Sequence, residues 1–166
     1  LLEIQYQDED AMKKFLDNQQ LAEKIAETAK NASKKTLVLW ATDCAERVLP
    51  NFERFYGSNN PKMAILAGRK WLSREIPEAE ARKAAFAAYC TVKISKHPEA
   101  CNAARSASQA ASSAHSSSHA LQAATYATKS VFYASTDEED AAENVKAERL
   151  WQYELLTELI KRQENK

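Results

Sequence analysis

Apolar residues recur every three or four positions along most of this chain, the spacing that lines one side of an α-helix. The clearest stripe is Leu37, Trp40, Ala41, Cys44, Ala45, Val48, Phe52 and Phe55, with Ser33 placed to cap the helix that carries it. Pro50 falls inside the stripe without shifting its phase, which predicts a break with immediate restart and no chain reversal. Upstream, Asp8 or Asp10 can cap a first helix holding Ala11, Phe15, Ala22, Ile25 and Ala29 and ending near Asn31.

Gly57-Ser58-Asn59-Asn60-Pro61 is a strong loop signal, after which Ile65, Gly68, Trp71 and Leu72 mark a third helix. Pro77 starts a fourth, with Ala81, Ala84, Ala85, Ala88 and Val92 on one face and Glu78 and Arg82 spaced to pair on the other. His97-Pro98 opens a fifth, whose stripe of Ala100, Ala103, Ala104, Ala107, Ala111 and Ala114 holds nothing larger than a methyl group. Such a helix has to pack close to its neighbours. Ser116-Ser117-Ser118 interrupts the run, because clustered hydroxyls favour caps over helix interiors. Ala120, Ala123, Ala124, Ala127 and Val131 then form a sixth helix. The acidic run Asp137–Asp140 opens a seventh, with Ala147, Leu150, Trp151, Leu155 and Leu159 as its expected apolar face.

Composition strengthens the all-α reading. Two glycines and four prolines in 166 residues leave few turns, and alanine loses no side-chain entropy in a helix. The expectation is one domain over residues 1–166, about seven helices in an alanine-rich bundle or array, with no significant sheet. The similar alanine spacing in 79–94, 99–114 and 119–134 hints at stacked helices, although no distinctive residue recurs at a fixed period.

Charge narrows the partners. Twenty-three basic side chains balance 23 acidic ones, so the electrostatic attraction behind sequence-independent binding to nucleic acid or anionic lipid is missing. No apolar run approaches a membrane span, and Leu1-Leu2-Glu3-Ile4 does not read as a signal peptide. Three cysteines, Cys44, Cys90 and Cys101, form no paired motif and fit a reducing cytoplasm.

Candidate chemistry is sparse. His115 and His119 are four apart, the spacing of half a metal site, yet serines stand between them and no glutamate does. A helical enzyme using this pair with Asp43 or Glu46, metal-dependent or cofactor-free, is one alternative; a self-associating scaffold is another. Cys44 sits within an apolar stripe and reads as a small hydrophobe, while Asp43 and Arg47 are spaced to pair across one turn. The serines from Ser106 to Ser118 read as a polar helix face. No phosphate loop, dinucleotide fingerprint or calcium loop occurs, so no cofactor and no catalytic residue is assigned. Phe55, Tyr56, Tyr89, Phe132 and Tyr133, near helix ends, are candidate interface anchors.

Leu39-Trp40-Ala41-Thr42-Asp43-Cys44-Ala45-Glu46-Arg47-Val48-Leu49-Pro50 with Phe52-Glu53, then Lys70-Trp71-Leu72, then Ala114-His115-Ser116-Ser117-Ser118-His119-Ala120 with Ala123-Ala124, Tyr126-Ala127 and Lys129, together resemble the Imm-5-like family of immunity proteins over roughly residues 36–134. The resemblance implies a cytoplasmic bacterial protein, not an enzyme, that binds a cognate toxin within a polymorphic-toxin or contact-dependent competition system and blocks it. Carried onto this chain, the matching positions are Trp40, Asp43, Cys44, Glu46, Arg47, His115, His119 and Tyr126, as toxin contacts or as residues that hold helices together. Serines stand where family members are often richer in glycine, which bears on the geometry between the two histidines.

Overall fold

Methyl-sized faces allow backbones to approach closely, and this sets the architecture. A computed structural model describes residues 13–166. Its helices are α1 (Gln19–Ala29), α2 (Lys34–Val48), the single turn α3 (Pro50–Glu53), α4 (Asn60–Leu72), α5 (Glu78–Val92), α6 (Pro98–Ser112), α7 (Ser118–Ala134) and α8 (Glu138–Glu164). Seven are of eleven residues or more, and no strand occurs among the described residues.

Local chemistry explains the boundaries. Ser33 Oγ accepts from the Thr36 amide at 3.2 Å, and Asp137 Oδ1 accepts from the Asp140 amide at 2.9 Å, each satisfying a donor that the first turn leaves free. Leu49 stays in the α region between α2 and α3, so Pro50 restarts the helix in phase. Ser112 ends α6 and Ser118 starts α7, with the serine run in the turn between them. The first helix is shorter than its periodicity predicts: Asn18 is its cap, accepting from Leu21. Phe15 precedes that helix and meets Phe132 edge to face, at 5.4 Å between centroids. Asp8, Asp10 and Ala11 lie outside the described residues.

Helix α6 is the centre of the packing and contacts α2, α3, α4, α5 and α7. Its alanine stripe is fully buried, and none of its buried side chains is larger than Asn102. Ser106 and Ser108 are buried too, not part of a polar face. Ser106 Oγ donates to the Ala123 carbonyl of α7, and Ser108 Oγ to the Ala85 carbonyl of α5, both at 2.8 Å. Ser130 of α7 answers by donating to the Glu99 carbonyl at 2.7 Å. A hydroxyl one carbon from the backbone reaches a neighbouring helix's carbonyl only when the two helices lie close, so these bonds fix the spacing that the methyl groups permit. Among the five proposed anchors, Phe132 is buried and Phe55 stacks on His97 at 3.8 Å between centroids. The Tyr56 hydroxyl accepts from the Lys96 amide.

The last helix departs from its expected face. Its buried positions are Ala141, Val145, Glu148, Arg149, Gln152, Leu156, Leu159 and Ile160, whereas Leu150 is exposed and Trp151 and Leu155 only half-buried. The inward stripe keeps helical spacing but carries three polar residues in its middle, because other helices supply partners for them.

Close approach recurs where α4 crosses α2. A methyl on Gly68 would lie 2.8 Å from Cγ2 of Thr42, which is fully buried and whose hydroxyl is held on the Leu39 carbonyl. Gly68→Ala is therefore expected to lower unfolding free energy by about 1–3 kcal/mol in urea titration. Gly57→Ala, where a methyl meets nothing within 4 Å, should stay within about 0.5 kcal/mol of the parent. Equal effects at the two glycines would rule out the tight crossing.

Candidate functional site

The charged residues of the Trp40–Arg47 segment face other helices. Trp40 is fully buried and its indole N–H donates to the Gln152 carbonyl of α8 at 2.9 Å. Asp43 and Glu46 both take the Arg69 guanidinium of α4, with Asp43 Oδ1 2.8 Å from Nη2. Arg47 reaches Glu148 of α8 at 2.8 Å and lies over the Trp151 ring at 4.3 Å. The expected Asp43–Arg47 pair across one turn thus gives way to two interhelical pairs, because α4 and α8 bring an opposite charge to each residue. The segment is a junction of α2, α4 and α8.

Behind it lies a buried polar cluster that periodicity hides. Gln152, fully buried, donates to the Ala124 carbonyl at 3.0 Å and to Thr128 Oγ1 at 3.1 Å. Arg149 gives Gln152 a bond at 3.2 Å and grips Asp17 with two more, at 3.0 and 2.6 Å. A bidentate arginine–carboxylate pair is strong and directional, which ties the segment before α1 to α8. Glu148 Oε1 is buried without a hydrogen-bond partner. Burial pushes the Glu148 carboxyl above its ordinary range, and the hydrogen bond and charge of Arg47 and the charge of Arg149 pull it only partly back. Cys44 is fully buried; burial first, then the charges of Glu148 and Asp43, raise its thiol well above the usual range, which favours the neutral thiol over the nucleophilic thiolate.

The two histidines do not share a helix face. His115 lies in the turn after α6, and His119 in the first turn of α7. His115 Nδ1 is 2.6 Å from Glu78 Oε1, so Glu78 goes to His115 rather than to Arg82; His119 Nδ1 is 2.6 Å from Gln109 Oε1. Lys34 donates to the His115 carbonyl at 3.3 Å, placing this turn beside the start of α2. Asp43 lies nine residues further along α2, about 13 Å down its axis, and is held with Glu46 on Arg69. The site that would join either carboxylate to the histidines is therefore not assembled, and among the described residues no three of His, Cys, Asp and Glu gather as a metal-holding group. Tyr126 is half-buried, with Arg105 and Lys129 over its ring at 5.6 and 5.2 Å.

The histidines do share a groove. Together with Arg82, Phe86, Tyr89 and Ser112 they line an open depression of about 370 Å³ between α5, the end of α6 and the start of α7. Phe86 is 68% exposed and Tyr89 46% exposed. Tyr89 was an expected anchor; Phe86 was not. The signal was available, since the alanine stripe of α5 faces the core and leaves Phe86 on the opposite side, where an aromatic ring gains little from folding.

Glu148 gives this junction a testable asymmetry. Arg47→Ala leaves a buried carboxylate unpaired and should cost roughly 3 kcal/mol at neutral pH in urea unfolding. Glu148→Gln should cost less, because the freed Arg47, 44% exposed, returns to water. The raised carboxyl keeps its proton in the folded chain at pH values where the unfolded chain has lost it. Its contribution to stability therefore grows as pH falls through the folded value and is complete below the unfolded one. The Arg47→Ala deficit should accordingly shrink between pH 7 and pH values near the ordinary carboxylate range. A Glu148→Gln penalty as large as that of Arg47→Ala would contradict this account.

Comparison with curated proteins and with solved structures gives no significant match. Comparison with protein families gives the one described as Imm-5 like putative immunity protein, over residues 27–159. That span extends past the roughly 36–134 of the sequence resemblance, from the end of α1 to nearly the end of α8. It takes in Glu148, Arg149 and Gln152 together with the α2 residues they hold. With the match covering well over half of its length, the chain belongs to the Imm-5-like immunity protein family.

Proposed function

We propose that the chain is a bacterial, cytoplasmic, single-domain immunity protein that binds a cognate toxin and neutralises it by covering a working surface, without chemistry of its own. Family membership supports the immunity role. The observation that carries occlusion is the groove beside α5: Phe86 and Tyr89 are exposed there, while the charged residues of the Trp40–Arg47 segment are engaged between helices. The part of each aromatic ring left exposed in the free protein is area it has to offer to a partner, and aromatic side chains are the usual anchors of a standard interface of about 1,600 Å². Trp40, Asp43, Glu46 and Arg47 serve this surface indirectly, by holding the helices that present it. No described helix is long and apolar enough to cross a membrane.

The experiment is co-purification from the native host, identification of any stoichiometric partner, and co-expression of that partner's toxic domain with the chain or its variants. The parent chain should restore growth. Phe86→Ala combined with Tyr89→Ala should weaken binding by at least about 30-fold, or roughly 2 kcal/mol, and restore toxicity while the variant stays folded, with its unfolding midpoint only modestly lowered. Full protection by that variant would exclude the groove. A chain recovered repeatedly without any stoichiometric partner would count against the toxin-binding reading.

A further inference from the structure

A second concavity adjoins the aromatic groove and changes the chemistry of the whole face. Lys35, Trp71, Arg74, Glu75 and Pro77 line a depression of about 480 Å³ where α4 ends and α5 begins. The two hollows are joined by a short chain of contacts. Lys34 lies over the Trp71 ring at 5.3 Å and donates to the His115 carbonyl, and His115 is bound to Glu78. Arg74 holds its place through the backbone: with φ at 62° it is in the left-handed region, and its amide and that of Glu75 close the end of α4 on the Trp71 and Lys70 carbonyls. Glycine is the unstrained residue at such a position, so this chain carries a cation there at some conformational cost.

Four exposed cations, Lys34, Lys35, Arg74 and Arg82, thus border an aromatic floor, and among the described residues none of them has a carboxylate within ion-pair distance. The carboxylates in the same place are Glu75 and Glu78, the latter taken by His115. The chain as a whole has no net charge, so this excess is local. We infer that the joined hollows form one docking face for an acidic segment of the toxin, with an aromatic or aliphatic side chain seated against Phe86 and Tyr89 and carboxylates meeting the surrounding cations. This rests on the immunity reading and specifies the partner's surface. A local positive field beside a water-excluding anchor steers approach, and so acts chiefly on the association rate.

The test uses the toxin domain identified by co-purification, with association and dissociation rates measured at 50 and 300 mM sodium chloride. Association should slow by about tenfold or more over that range. Lys35→Glu with Arg74→Glu should slow it by a similar factor at low salt and change dissociation less. Lys62→Glu with Lys146→Glu, an equal change of net charge at exposed sites elsewhere, should stay within about twofold of the parent. Binding that ignores salt and both reversals overturns the inference while leaving the immunity reading intact, and equal slowing by the two pairs overturns it as a net-charge effect. A parent chain that binds no toxin overturns both readings. A parent chain that instead dimerises through this face, with Phe86→Glu restoring the monomer in sedimentation, overturns the acidic-partner inference as well.

Discussion

The close approach of backbones around α6 is the constraint on which the rest of the structure depends. A central helix touched by five others has almost no face left for bulky side chains, and α6 buries alanine, serine and a single asparagine. Methyl groups permit the approach, and the Ser106, Ser108 and Ser130 hydroxyls fix it by reaching carbonyls on neighbouring helices. The bulk sits one layer out, in Trp40, Phe52, Ile25, Ile65 and Leu156. Gly68 belongs to the same scheme, since a methyl there would meet Thr42.

Polar residues complete the outer layer. Glu148, Arg149 and Gln152 occupy inward positions of α8 that apolar side chains would usually fill, and each finds a partner on another segment: Arg47, Asp17, and the Ala124 and Thr128 pair. Such a cluster adds directionality that a slippery surface of methyl groups lacks, because each bond accepts only one register of one helix against another. The long helix is held at three places along the chain, before α1, on α2 and on α7. Most of these contacts lie within residues 27–159, the stretch matched to the family, and there Arg47 and Glu148 act as a helix junction.

Most of the fold was legible in the sequence, and the reasons are local. The caps at Ser33 and Asp137, the restart at Pro50 and the break at the serine run each follow from what one or two residues do to nearby backbone groups. The alanine stripes of α5, α6 and α7 were legible because the periodicity survives in the structure, with only Ala84 and Val131 of the expected positions half-buried. The inward face of α8 was not, since Glu148, Arg149 and Gln152 look solvent-facing until helices distant in sequence supply their partners. The pairing of Asp43 with Arg69 and of Glu78 with His115 was hidden for the same reason: spacing along one helix suggested nearer partners. Of the site, the histidines and Tyr89 were in view, whereas Phe86 required asking which face of α5 was left over once its alanines were committed to the core.

The central claim of the proposed function is a division of labour, with Asp43, Glu46 and Arg47 engaged in interhelical ion pairs and recognition carried by the α5 face that they help to position. Amide hydrogen exchange of the chain, alone and saturated with its toxin, tests it most directly. The account predicts new protection in 82–89 and 112–119, with the helical amides of 40–48 and 145–152 exchanging much as in the free chain. Protection concentrated around Asp43 to Arg47, with residues 82–89 exchanging as in the free chain, would contradict it.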